Sequence, residues 1–132
     1  LVTVGSMSST ARIGVEKMRR AGKKAGLVRL RVVRPFPHEA IRKALQRCRA
    51  VGVVERSTSI GAQGSGGCLL PEIASALYPL ANKPTISGFV AGLAGRDLRP
   101  EDFASMALTT AEQADDAELG KEVTVTWHAL NR

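Results

Sequence analysis

The chain is poor in the residues that most single-domain chemistry needs. It has two cysteines, Cys48 and Cys68, and two histidines, His38 and His128. Two sulfurs cannot hold an iron–sulfur cluster or a structural zinc unaided. Their spacing is not that of a pair, so a reducing, cytoplasmic setting is expected. Aromatic residues make up only 4% of the chain, which leaves little to stack on nucleic-acid bases. No apolar run is long enough to cross a bilayer, and no signal-peptide pattern opens the chain. An initiator methionine is also missing. The chain begins on strand-like residues, Leu1-Val2-Thr3-Val4, and is expected to be a piece of a longer one. No internal repeat or low-complexity segment occurs.

What remains fits one domain over residues 1–132, long enough to bury a sizeable core. The net charge is +7 and unevenly spread. Residues 1–56 carry 14 Lys or Arg against 3 acids, and residues 57–132 carry 5 against 9. Such asymmetry can serve nucleic acid, a solvated basic face, or an acidic neighbour. The shortage of aromatics favours the last two, so neither nucleic acid nor a membrane is expected as a partner.

Strand and helix patterns alternate along the chain. Residues 2–5 form a short apolar strand. Ser8, Ser9 and Thr10 offer N-caps to a helix whose apolar face is Ala11, Gly14, Val15, Met18 and Ala21. Gly22 and Gly26 end it. Residues 27–33 read as a strand with Val28, Leu30 and Val32 on one face and Arg29 and Arg31 on the other. Ile41, Ala44, Leu45 and Cys48 mark a second helix. Residues 50–54 are nearly all apolar, as in a central parallel strand. A loop with Gly61, Gly64, Gly66 and Gly67 follows, then a helix through Leu70, Ile73, Ala74 and Leu77. Residues 84–90 are a fourth strand and residues 91–97 a tight loop. Pro100-Glu101-Asp102 opens a fourth helix, with proline and acids where the macrodipole favours them. Residues 113–120 read as a polar connection and residues 123–127 as a last strand. This order predicts an α/β, three-layer fold: a mostly parallel five-stranded sheet with helices on both faces.

In such a sheet the loops leaving the strands gather at the carboxyl edge, the usual place for ligands or partners. The most informative of them is Arg34-Pro35-Phe36-Pro37. Two prolines around an aromatic fix the backbone there and deliver the ring to a defined place. The loop Gly92-Leu93-Ala94-Gly95-Arg96-Asp97 should emerge on the same edge. Arg34, Phe36, Arg96 and Asp97 are therefore the candidate interface residues of that edge, with forked guanidinium donors to hold loops or a partner carboxylate. Glu55-Arg56 and Arg96-Asp97 could each form a local ion pair. Gly61-Ala62-Gln63-Gly64-Ser65-Gly66-Gly67 precedes a helix but matches neither G-x-G-x-x-G nor a Walker A, so loop geometry is the better reading. No nucleophile–base arrangement and no ligand cluster suggests itself. Catalytic, cofactor-binding and metal-ligating residues are expected to be none.

Taken together, the segments resemble the C-terminal domain of the alpha subunit of pyruvate:ferredoxin oxidoreductase, a transketolase C-terminal-like domain. The resemblance rests on Leu30-Arg31-Val32-Val33-Arg34-Pro35-Phe36-Pro37, Val51-Gly52-Val53-Val54-Glu55-Arg56, the glycines from Gly61 to Gly67, the Gly92 to Asp97 loop with Pro100-Glu101-Asp102, and Val125-Thr126-Trp127. They come in the family order and cover nearly the whole chain. Two departures are mild: Ala94 stands where glycine is common, and Glu55 where Asp is frequent. The resemblance implies an enzyme that decarboxylates a 2-oxoacid on thiamine diphosphate with Mg2+. It passes electrons through iron–sulfur clusters to ferredoxin and forms an acyl-coenzyme A. Those groups belong to other domains or subunits, which are the partners implied. The domain itself is then structural and inactive alone. The 2-oxoacid stays open among pyruvate, oxalate, 2-oxoglutarate and a branched acid, with the glycine–Arg–Asp loop leaning to the pyruvate type. Alternatives are a stand-alone anion-binding α/β module and, less favoured, a nucleic-acid-binding domain.

Overall fold

The longest apolar strands take the centre of the sheet. In the computed structural model, which describes residues 1–60, 66–116 and 123–128, these are β3 (Ala50–Glu55) and β4 (Thr85–Ala91). They pair in parallel register from Ala50↔Thr85 to Glu55↔Val90. β1 (Val2–Val4) lies beside β3, β2 (Val28–Leu30) beside β1, and β5 (Thr124–His128) beside β4. The order is β2-β1-β3-β4-β5, and every pairing is parallel.

Because strand side chains alternate between faces, the central strands feed two cores. Val51, Val53 and Ile86 face α2 (His38–Leu45) and α3 (Leu69–Leu77), meeting Ile41, Leu45, Ile73 and Leu77. Val54, Phe89 and Ala91 face α1 (Met7–Arg20) and α4 (Pro100–Asp115), meeting Met7, Ala11, Phe103 and Met106. The result is the expected three-layer α/β sandwich. Gly14 lets α1 and α4 touch through their backbones: a Cβ there would sit 2.4 Å from the Pro100 carbonyl oxygen. At the end of α1, Gly22 adopts φ +77. The amides of Gly22 and Lys23 bond back to the carbonyls of Arg19 and Met18, a Schellman closure.

Several boundaries differ from the sequence expectation, each for a physical reason. α1 starts at Met7 rather than near residue 11, after Ser6, which makes no side-chain cap. Ser8 is buried within it, and its Oγ accepts a 2.9 Å hydrogen bond from the buried Thr3 hydroxyl of β1. β2 stops at Leu30, not residue 33, because β1 offers only Val2 to Val4 as partners. Val32 is consequently 54% exposed rather than part of a buried face. α2 ends at Leu45, leaving Cys48 exposed. α4 runs through Gln113 to Asp115, where a polar connection was expected. Gln113 is there to join elements, its Oε1 accepting from the hydroxyls of Ser87 on β4 and Thr124 on β5. The rest of that connection, residues 117–122, lies outside the described residues. No described helix is long and apolar enough to cross a membrane.

Candidate functional site

An all-parallel sheet sends every strand end to one edge. Residues 5–6, 31–37 and 92–99 leave β1, β2 and β4 there, and residues 56–60 leave β3. Arg34 and Phe36 follow β2, while Arg96 and Asp97 follow β4, with β1 and β3 between. At about 4.8 Å per strand, the two pairs stand roughly 14 Å apart. They share an edge without forming one cluster.

The turn after β2 is built inward as well as outward. Arg34-Pro35 is a cis peptide bond. The Arg34 guanidinium pairs with Glu72 in the first turn of α3 at 2.8 Å and donates to the Val33 carbonyl at 2.7 Å. Phe36 is half-buried against the α2–α3 core. His38 meets it edge-on, with ring centroids 5.0 Å apart at 69°. The His38 amide donates to the Phe36 carbonyl at 2.9 Å, and its Nε2 lies 3.7 Å from Glu72. Much of the Phe36 ring therefore serves the fold. Among the described residues, the bare apolar side chains of the connections along this edge are instead Val32 and Ile60, the latter fully exposed.

The loop after β4 is a tight 3-10 turn, Leu93–Gly95, with Gly92, Ala94 and Gly95 all at positive φ. It leaves Arg96 half-buried and Asp97 exposed. Gly92 also lets the β3 loop approach, since a Cβ there would lie 2.9 Å from Arg56 Nε.

Glu55 plays a part that the sequence did not announce. It is the last residue of β3 and only 3% exposed. Its Oε2 accepts from the Leu69 amide at 2.9 Å and the Ser57 hydroxyl at 3.2 Å; its Oε1 accepts from the Leu70 amide at 3.2 Å. The carboxylate thus sits where the amino end of α3 favours negative charge. Gly67 makes room, because a Cβ there would fall 2.2 Å from Glu55 Cδ. The local pair expected between Glu55 and Arg56 gives way to this cap. Consecutive side chains at a strand end point to opposite sides, so Glu55 turns inward and Arg56 outward. A phosphate at this helix would meet a charge of its own sign. Of the glycine-rich loop, residues 61–65 lie outside the described residues. The signal available in the sequence was an acid ending an apolar strand just ahead of glycines.

Asp102 is the second buried acid of the edge, at 2% exposure. Its Oδ2 accepts from the Arg99 amide at 2.8 Å, and its own amide donates to the Arg99 carbonyl at 3.0 Å. Its Oδ1 lies 3.4 Å from His128 Nε2, tying the start of α4 to the end of β5.

Among the described residues, no three His, Cys, Asp or Glu gather as a metal-binding group. A cavity of about 960 Å3 opens at the opposite, amino edge, beside Lys23, Lys24, Arg47, Arg49 and Asp115. None of the four candidate residues borders it. The buried carboxylates of the carboxyl edge cap helices.

The family described as pyruvate:ferredoxin oxidoreductase core domain II matches residues 1–103. The alpha subunit of NADH-dependent phenylglyoxylate dehydrogenase from Aromatoleum evansii is 40% identical over 99 residues, 74% of this chain and 23% of that protein. Pyruvate synthase subunit PorA of Thermotoga maritima is 37% identical over 101 residues, covering 76% and 25%. Ketoisovalerate oxidoreductase subunit VorA of Pyrococcus abyssi is 30% identical over 129 residues, covering 98% and 31%. The chain spans about a quarter to a third of the length of these relatives. The matched stretch runs from β1 into α4 and takes in every candidate edge residue, and on it the chain belongs to the pyruvate:ferredoxin oxidoreductase core domain II family.

Proposed function

We propose that this chain is a non-catalytic, subunit-organising domain of a thiamine diphosphate-dependent 2-oxoacid:ferredoxin oxidoreductase, and that its carboxyl edge meets other parts of that enzyme. The supporting observation is the state of that edge. Where an α/β sheet usually places its chemistry, Glu55 and Asp102 are buried and spent on capping α3 and α4. Arg34, Phe36, Arg96 and Asp97 remain as contact and positioning groups beside the loops.

The cofactors of such an enzyme do not fit the described residues. Cys48 precedes β3 at the amino edge and Cys68 precedes α3 at the carboxyl edge, so the sheet separates them. They cannot share a cluster. Among the described residues, no three acids, His or Cys gather as they would to hold a Mg2+ ion. Thiamine diphosphate, Mg2+, the iron–sulfur clusters and coenzyme A belong to neighbouring domains or subunits, and ferredoxin is reached through the whole enzyme. The relatives are named for pyruvate, ketoisovalerate and phenylglyoxylate. All three are 2-oxoacids, and pyruvate is our first choice of substrate for the whole enzyme. The anion-module reading is weakened by Glu55, which already occupies the amino end of α3.

The test compares the assembled enzyme containing this chain with the chain alone, its fold checked by circular dichroism. Each is given a 2-oxoacid, coenzyme A, thiamine diphosphate, Mg2+ and a viologen. The assembled enzyme should reduce the dye with pyruvate, and the folded chain should not. Dye reduction by the chain alone, or an enzyme fully active without it, would refute the proposal.

A further inference from the structure

We infer that the carboxyl edge is an arginine-lined docking surface whose partner is a protein face bearing carboxylates around an apolar contact. This rests on the reading of the edge as an interface and adds the chemistry of what it meets.

The two edges of the sheet carry different cations. Among the described residues, the carboxyl-edge connections hold Arg31, Arg34, Arg56, Arg96 and Arg99, and no lysine. Their one exposed acid is Asp97. The amino-edge connections hold Lys23, Lys24 and Lys83 with Arg47 and Arg49. Both edges are therefore basic, but only one is basic through arginine alone. The difference is physical. Lysine keeps its hydration and serves solubility. Arginine is more weakly hydrated and offers a planar fork that takes a carboxylate with two parallel hydrogen bonds. Protein interfaces are accordingly enriched in arginine and depleted in lysine.

The layout favours a broad partner over a small anion. Arg31 follows β2, Arg56 follows β3 and Arg99 follows β4, all three exposed. They are strung along about 14 Å of edge instead of converging on one point. The amino end of α3, the helix that follows the glycine-rich loop, is filled by Glu55. Between the arginines stand Val32, 54% exposed, and Ile60, fully exposed. An apolar side chain left wholly in water on a connection of this charged edge fits a partner surface that covers it. Nucleic acid would also attract the arginines. It would want several aromatic faces; Phe36 is half-buried in the core, and Trp127, next to last in β5, offers a single exposed ring.

The experiment replaces Arg31, Arg56 and Arg99 together by lysine in the full-length subunit, preserving charge and removing the forks. Assembly is measured by titration at physiological salt, and the edge is followed by amide hydrogen exchange. We expect assembly to weaken about tenfold or more with an unchanged melting temperature, since bidentate pairs are lost. Lys23→Glu with Lys24→Glu on the other edge should change it less than about twofold, as surface charges outside an interface do. Residues 31–37, 56–60 and 92–99 should be protected on assembly. If they are protected but the lysine variant assembles normally, the carboxylate chemistry is wrong and the interface reading survives. If they are not protected, both fall. If the intact subunit binds a DNA or RNA duplex at physiological salt and the lysine variant loses it, the partner is nucleic acid and the proposal is overturned.

Discussion

Two residues show how much the close approach of atoms adds to a sequence. Ala94 stands out as a departure from a glycine-rich family loop, and the reason glycine is favoured there is its backbone: φ 54 and ψ 36, the left-handed region. A Cβ in that region costs roughly 1–2 kcal/mol, partly offset by glycine's greater freedom in the unfolded chain. Ala94→Gly should therefore stabilise the domain by about 0.5–1 kcal/mol, read as a rise of about 3 °C in a thermal melt. A fall in melting temperature would mean the turn is held differently. Glu55 carries a larger energy. Glu55→Ala strands the Leu69 and Leu70 amides in a buried site and should cost about 3 kcal/mol. Added formate, small enough for the vacated space, should restore part of that loss in a denaturant titration. No rescue and no destabilisation would end the capping account. The cap made by Glu55 was not legible beforehand, because Glu55 and Leu69 are neighbours only after β3 and α3 have packed.

At the scale of elements, α1 and α4 form one layer held by close backbone contact at Gly14 and clasped at the rim by Lys17 and Glu101. The hydrogen bond from Lys17 holds the Glu101 carboxyl below its ordinary pKa. A carboxyl lowered in the folded state adds stability above the unfolded value and loses it as pH falls through the folded one. The pair is exposed, so its effect on stability is slight and screened by salt. The titration itself is the better readout. In Lys17→Met, the Glu101 carboxyl followed by NMR should titrate at higher pH than in the wild type; no change would break the link. The helical periods placed α1, α2, α3 and α4 in the right order from sequence. Their ends were less legible. Ser8 looked like a cap, yet Thr3 draws it into the helix. Gln113 looked like linker, yet it bridges two strands from the last turn of α4.

Over the whole molecule, charge follows topology. The basic first 56 residues supply β1, β2, α1, α2 and β3, so most of the positive charge lies toward the β2 side. The sorting of cation types between the two edges crosses that division, which is why composition alone could not find it. The sequence held the strand–helix alternation, since apolar period and turn residues act locally, and alternation of that kind leads to a parallel sheet between two helical layers. It held only two cysteines, too few to ligate an iron–sulfur cluster unaided. It also placed the two candidate loops on one edge, because parallel strands leave no other choice. The rest came from packing between distant segments. The strand order put β1 and β3 between those loops and kept Arg34 and Arg96 apart. Packing turned Phe36 inward and aimed Glu55 at the amino end of α3. Pairing with a three-residue β1 cut β2 short and left Val32 bare. Each of these depends on which segments meet across tens of residues, and a local pattern carries no record of that.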